Sequence, residues 1–331
     1  LSKKGIKVFK LKLNSLLNLL NLIYVIFKIK NLVEFHKPNI VHSHLSSMEI
    51  ISVLVKIISQ HNFKLIITKH LDSFFLEASN GQNNNMIRGI FIDKFILNKC
   101  DKVICISKQI KKYFSKKIKL KKNQYKVIYY GLGINSLRDK TLKNKKSIYR
   151  KKFFKNFFYI CCIARHVKQK SLDFLIHSFY EFNKKNYKSR LVLVGSGPET
   201  QNLEKLSKKL GVYNKILWIK YEENIFQILN KSHVFVLPSK YEGFGLVLLE
   251  AMYAKIPIIA CKVSAIPEVI KHNWNGLLIK HGSIKDFNKK LKIVRDGKKN
   301  LIFIKNSQKT LNIKFNFKKM INRTSKIYNE V

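Results

Sequence analysis

The stretch 234–252, "VFVLPSKYEGFGLVLLEAM", reads as a strand, a loop and the start of a helix. Val234 to Leu237 form a short apolar run that stops at Pro238. "KYEGFG" (240–245) has the glycines of a tight loop, and "LVLLEAMY" (246–253) has no strand or turn signal. The segment also sets two carboxylates, Glu242 and Glu250, seven intervening residues apart with no other charge between them. One sits on the loop and the other on the helix that leaves it, so both can serve one ligand at different depths.

The same strand-to-helix unit recurs outward in both directions. "NIVHSHL" (39–45), "KLIITKH" (64–70), "KVICIS" (102–107) and "KVIYYGL" (126–132) read as strands separated by helical lengths of chain. After a polar stretch at 135–152 the rhythm resumes with "FFYICCIAR" (157–165), "RLVLVGSG" (190–197), "KILWIKY" (215–221), "VFVLPS" (234–239), "IPIIAC" (256–261) and "GLLIK" (276–280). Strands that alternate with helices predict parallel sheets with helical crossovers. The polar break divides the 331 residues into two such sheets. The expected domains are 1–135, a linker at 136–152, a second domain at 153–310, and a helix at 311–331 returning to the first.

Composition narrows the function classes. At 46% hydrophobic residues the chain can fill real cores, which excludes intrinsic disorder. The net charge of +46 invites a nucleic-acid reading, but lysines run through every segment and no zinc-finger spacing or arginine-rich arm accompanies them. No specific nucleic acid is expected. An anionic membrane surface is the other partner this charge suggests, and "KKYFSKKIKLKK" (111–122), which interleaves Tyr113, Phe114, Ile118 and Leu120 with lysines, is its candidate docking segment. The five cysteines form no CxxC pair and lie mostly in apolar runs, as reduced core residues of a cytoplasmic protein do. The histidines are scattered and no HExxH occurs, so neither a metal nor another cofactor is expected. Asparagines and lysines interrupt 15–35, "SLLNLLNLIYVIFKIKNLVEF", too often for a membrane span, and an amphipathic or buried helix is expected there. "GIKVFKLKLN" (5–14) reads as a strand already under way.

Ligands of open parallel sheets bind beyond the carboxyl ends of the strands, where loops and helix N-termini converge. Three sets of residues fall there besides the two glutamates. "VLVGSGPE" (192–199) brings Gly195 and Gly197, which let backbone approach a ligand closely. "IARHVKQKSLDFLIHSF" (163–179) places Arg165 and Lys170 before a helix, two cations suited to a diphosphate. His70 ends the strand "IITKH".

"PSKYEGFGLVLLEAMYAKIPIIACKVSAIPEVI" (238–270) resembles the signature of retaining glycosyltransferase family 4, enzymes of the GT-B fold. The resemblance continues through 163–179, 192–199 and "FNFKKMINRTSKIY", and backward through "DKVICISK" and "VIYYGLGIN". It implies two Rossmann-like parallel-sheet domains facing a central cleft, and transfer of a sugar from a nucleotide-sugar donor. It also implies roles for residues. Glu250 would bind the donor ribose. Glu242, with the Gly243–Phe244–Gly245–Leu246 segment, would hold the donor sugar. Arg165 and Lys170 would grip the diphosphate without a metal, and His70 would reach the sugar.

A UDP-sugar donor and a lipid-linked or surface-polysaccharide glycan acceptor, met at the cytoplasmic face of a membrane, complete the expectation. Three departures stand beside it: Trp218-Ile219-Lys220 replaces the Phe-Leu-Gly common in relatives near the base, Ser264-Ala265 stands where a glycine pair commonly precedes "IPE", and the usual opening strand and glycine-rich loop do not precede "LSKKGIKVF". An inactive, truncated scaffold protein of the same family is the rival reading.

Overall fold

The computed structural model describes residues 5–11, 19–71, 83–121, 123–133 and 153–331, with the side chains of 83–88 not described. The polar stretch expected to be a linker, 136–152, lies outside the described residues. Contacts group the chain into two compact units: residues 1–106, 110–127 and 325–331 in the first, and 107–109 and 128–324 in the second.

The first unit carries a four-stranded parallel sheet in the order β1-β2-β3-β4, built from β1 (Ile40–His44), β2 (Lys64–Lys69), β3 (Lys102–Cys105) and β4 (Tyr125–Val127). Helices α1 (Leu19–His36), α2 (Ser46–Ile58), α3 (Asn83–Lys99) and α4 (Lys108–Lys117) make the connections. β2 is buried at every residue after Lys64, as expected for a parallel strand covered on both faces. Residues 5–11 form no strand, contrary to the sequence expectation, and their side chains are exposed. A β-prone sequence needs a neighbour to pair with, and there the chain has none among the described residues. α1 is amphipathic, with Val25, Ile26 and Val33 buried while Leu20, Tyr24 and Phe27 face outward. No helix among the described residues is long and apolar enough to cross a membrane.

One expectation fails on α4. Phe114 and Ile118 are 1% and 2% exposed, so they fill the core of the first unit and cannot enter a lipid surface. Their spacing of four is the buried face of an amphipathic helix, which sequence alone does not separate from an inserting face.

The second unit carries a six-stranded parallel sheet in the order β10-β9-β8-β5-β6-β7. Its strands are β5 (Phe158–Ile163), β6 (Ser189–Val194), β7 (Ile216–Ile219), β8 (Val234–Leu237), β9 (Ile258–Cys261) and β10 (Leu277–Ile279). The helix after β5, α5 (Leu172–Lys185), shows how this sheet is covered. Its apolar residues fall at Leu172, Leu175, Ile176, Phe179 and Phe182, one stripe of a 3.6-residue period, and each is at most 3% exposed against the sheet core. Burial of such a side chain stabilises by about 1.5–3 kcal/mol, so this stripe holds α5 in place. All five cysteines are buried and unbridged, and burial pushes the thiols of Cys100, Cys161 and Cys261 up to about 12, where they are inert.

The topology fixes where a ligand belongs. From β5 the chain proceeds outward to β6 and β7, then crosses back so that β8 lies on the other side of β5, followed by β9 and β10. The order therefore reverses between β5 and β8, and open α/β sheets take ligands beyond the carboxyl ends of the strands at such a reversal.

Candidate active site

The loops at that reversal carry the residues singled out from sequence. Arg165 stands two residues past the end of β5 and is exposed. Lys170 closes a 3-10 turn (Lys168–Lys170), and Ser171, in a left-handed conformation at φ 47°, turns the chain into α5. From the neighbouring strand β8 comes the loop with Glu242. Two hydrogen bonds clamp the loops together: Lys240 N–H donates to Gln169 O at 2.9 Å, and Gln169 Nε2 donates to Tyr241 O at 2.9 Å. The clamp sets Lys170 Nζ 2.6 Å from Glu242 Oε2, with the two side chains 18% and 14% exposed. The structure thus brings together a cation and a carboxylate 72 residues apart in sequence.

The loop ends in a built turn. Gly245 has φ 82° and precedes α8 (Leu246–Tyr253); the intervening short helices are α6 (Thr200–Lys209) and α7 (Ile225–Leu229). L-residues rarely adopt that φ, so glycine is needed to aim α8 back along β8. Phe244 is 2% exposed and packs against Tyr129, Tyr130 and Phe315, with ring centroids 5.5 to 6.1 Å away. Its side chain is therefore a loop anchor, and its backbone is the part left for a ligand. Gly243 is buried beside it, whereas Leu246 is exposed. Glu250 is half-buried, the fifth residue of α8 and past its first turn. Interaction with the helix dipole fades beyond that turn, so a helix-start role does not explain this carboxylate.

Gly195 and Gly197 follow β6 and lie against the segment after β5. A Cβ on Gly195 would meet Ala164 O at 2.0 Å, and one on Gly197 would meet His166 O at 2.5 Å. The glycines are thus required by the neighbouring backbone itself. That packing shapes a cavity of about 620 Å³ lined by His166, Gly195, Gly197, Trp218 and Lys220 among others.

Two groups line this cavity wall, His166, which the sequence reading missed, and Trp218, which it noted only as a departure. Thr200 Oγ1 donates to Gly197 O and accepts from Gly197 N–H, so its contact with His166 Nδ1 at 2.9 Å is best satisfied by an Nδ1–H donor. His166 Nε2 is then a bare acceptor, and burial lowers the ring's pKa, which keeps it neutral. Neither His166 Nε2 nor the donor Trp218 Nε1 has a hydrogen-bond partner among the described residues. Scattered histidines and a tripeptide departing from the usual pattern are the only sequence signals for this pair.

His70 belongs to the first unit, one residue past β2, and is half-buried. No group of three or more His, Cys, Asp or Glu suited to a metal ion occurs among the described residues.

Known proteins resemble this chain in sequence and in fold. An O-antigen biosynthesis glycosyltransferase of Escherichia coli is 28% identical over 299 residues, covering 88% of this chain and 79% of its own. An uncharacterized glycosyltransferase of Methanocaldococcus jannaschii is 26% identical over 305 residues, with 91% and 78% covered. Among solved structures, Anabaena HepE in complex with UDP and glucose superposes with a TM-score of 0.79 at 18% identity, over 98% of this chain and 86% of that one, and structures of this kind have the GT-B fold. Residues 3–135 match the family described as Glycosyltransferase Family 4, and residues 143–310 the one described as Glycosyl transferases group 1. Between them the two matches span nearly the whole chain, which is therefore a member of the glycosyltransferases of these families, with the GT-B fold.

Proposed function

We propose that the protein is a retaining, metal-independent hexosyltransferase that moves a sugar from a UDP-sugar to a lipid-linked or surface-polysaccharide acceptor at the cytoplasmic face of a membrane. The observation that carries this reading is the Lys170–Glu242 pair at the strand reversal, where Arg165 follows β5. Lys170 and Arg165 meet the donor diphosphate. As the bond from the anomeric carbon to the phosphate oxygen breaks, negative charge grows on the departing UDP, and fixed cations favour that state over the ground state. That is the work a divalent metal would otherwise do. Glu242 accepts hydrogen bonds from the donor sugar's hydroxyls and Glu250 from the ribose, both directional contacts to neutral donors. Retention follows when the acceptor attacks from the face the phosphate leaves, and a phosphate oxygen takes the acceptor's proton.

The cavity beside His166 and Trp218 takes the base. A uracil imide presents an N–H next to a carbonyl, the complements of the bare His166 Nε2 and the Trp218 Nε1–H. The relatives support the rest: HepE was solved with UDP and glucose, and the E. coli relative is an O-antigen biosynthesis glycosyltransferase.

The test is release of UDP from UDP-glucose, UDP-galactose and UDP-N-acetylglucosamine in the presence of EDTA. Turnover that survives EDTA and falls on the order of 10²-fold in Arg165→Ala supports the reading. A strict need for added Mn²⁺ or Mg²⁺ contradicts it.

A further inference from the structure

Ser171, the residue after Lys170, forgoes the usual work of a serine at a helix start. A serine there ordinarily sits in extended backbone and turns its hydroxyl back to accept an N–H of the first turn. Ser171 instead precedes α5 at φ 47° and ψ 46°, a left-handed conformation that L-residues avoid, and its side chain caps no N–H of the helix. Its hydroxyl is spent elsewhere: Oγ lies 3.0 Å from His281 Nε2, and the residue is 5% exposed. A strained turn persists where its surroundings over-determine it.

His281 arrives from 110 residues further on, in the loop that leaves β10. That loop is tied to the helix it feeds, Ile284–Arg295. Ser283 Oγ accepts from Asp286 N–H at 3.2 Å, and Lys280 N–H donates to Asp286 Oδ2 at 3.0 Å. The His281 ring packs on Phe174 of α5 with centroids 5.6 Å apart, and Phe174 packs on Phe287 of the following helix at 6.0 Å. Burial lowers the His281 pKa, as does the nearby Lys240 ammonium, so the ring is neutral at pH 7. A neutral imidazole and a hydroxyl can each donate or accept, so either polarity makes the contact. What the contact fixes is the place of Ser171 Oγ.

The consequence lies one residue back. Lys170 N–H donates to Val167 O at 2.9 Å and Ser171 N–H to Lys168 O at 3.1 Å, so these residues form one tight turn. On one side of Lys170, Gln169 is bound to Lys240 and Tyr241 of the loop after β8. On its other side, Ser171 is bound to His281 of the loop after β10. We infer that His281 is a positioning residue for Lys170, acting through Ser171 Oγ, so that three loops of the second unit set the cation together. This rests on the reading that assigns Lys170 to the donor diphosphate. A small displacement of such a group can cost up to about 10²-fold in rate.

The test uses the whole chain as wild type, His281→Ala, His281→Gln, Ser171→Gly, the His281→Ala/Ser171→Gly double variant and Lys170→Ala. The amide nitrogen of His281→Gln stands in for Nε2, and Ser171→Gly removes the hydroxyl at a φ that glycine adopts without strain. The rate of reductive methylation at Lys170, followed by peptide mass spectrometry, reports the setting of its amine independently of turnover. That rate should rise severalfold in His281→Ala and in Ser171→Gly, and return toward wild type in His281→Gln. With the fastest of the three UDP-sugars named above, His281→Ala should lower kcat about tenfold with KM within twofold, and His281→Gln should recover most of the loss. The double variant should be no slower than the slower single variant, because both changes break one contact. Unchanged methylation of Lys170 in His281→Ala overturns the inference, as does a double variant whose loss is the product of the two single losses. If Lys170→Ala keeps full kcat, the assignment of Lys170 to the diphosphate fails instead, and the methylation rates alone decide the positioning role.

Discussion

Lys170 Nζ lies 2.6 Å from Glu242 Oε2, so each of the two groups assigned to donor phosphate and donor sugar compensates the other. The pair thus leaves neither charge uncompensated in a partly buried position. Lys170→Ala should lower turnover on the order of 10²-fold, because the cation's target grows in charge as the reaction proceeds. Glu242→Gln should act mainly on KM for the sugar nucleotide. With both groups partly solvated, the pair contributes only about 1 kcal/mol to folding, so both variants should melt near wild type. Steady-state kinetics with thermal melts checks all three statements. A Lys170→Ala protein with normal kcat would remove Lys170 from the mechanism.

A second ion network has the opposite character. Lys69 Nζ lies 2.5 Å from Glu49 Oε2 and 2.6 Å from Asp93 Oδ1, and none of the three side chains is more than 3% exposed. Lys69→Met should destabilise the fold by about 3–5 kcal/mol, because it strands two carboxylates out of water. Replacing Glu49 and Asp93 by Leu in the same chain should recover much of that loss. Chemical denaturation measures both, and a neutral single variant would show that water reaches the site.

His42 and His70 predict a pH dependence. His42 and His70 have folded pKa values lowered to about 4 from 6.5, chiefly by burial. The unfolded chain therefore binds more protons than the folded one between pH 6.5 and 4. Their contribution is fully present above 6.5 and is lost as pH falls toward 4. His42→Gln should flatten the fall in stability across that window, measured by denaturant midpoints at each pH. An unchanged slope would mean that His42 is not held neutral.

Gly195 and Gly245 differ in how they resist a side chain. The Cβ of Gly195→Ala would sit 2.0 Å from a backbone oxygen, at φ 137°, and neither atom can yield. At Gly245 the nearest atom is 3.1 Å away on the flexible Leu248 side chain, so the cost is mainly that of φ 82°. Gly195→Ala should cost on the order of 3 kcal/mol or more and Gly245→Ala about 1–2 kcal/mol. Reversal of that order in melting experiments would show that the β6 loop can move away.

These particulars show which features sequence can carry. All ten strands of the two sheets overlap runs read from sequence, and the pattern is plainest in β8, β9 and β10, which are apolar and buried at every residue. Glu242, Glu250, Arg165 and Lys170 were legible because each follows a strand or its loop. The Lys170–Glu242 contact was not, since it depends on which strands are neighbours, and β8 joins β5 only by crossing back. His166 was hidden for a similar reason, since its tautomer is set by Thr200 at the start of α6. The docking segment at 111–122 failed because an amphipathic helix has the same residue pattern whether its apolar face meets a core or a membrane.

The most direct measurement is a calorimetric titration of UDP into the wild-type protein and Glu250→Gln, with folding checked by circular dichroism. Glu250 follows the strand reversal on a helix whose dipole does not account for it, and the account gives it the ribose hydroxyls. Wild type should bind UDP without added metal, and Glu250→Gln should bind more weakly by about 1–3 kcal/mol, the worth of hydrogen bonds to a charged acceptor. A folded Glu250→Gln protein that binds UDP as tightly as wild type would contradict the account.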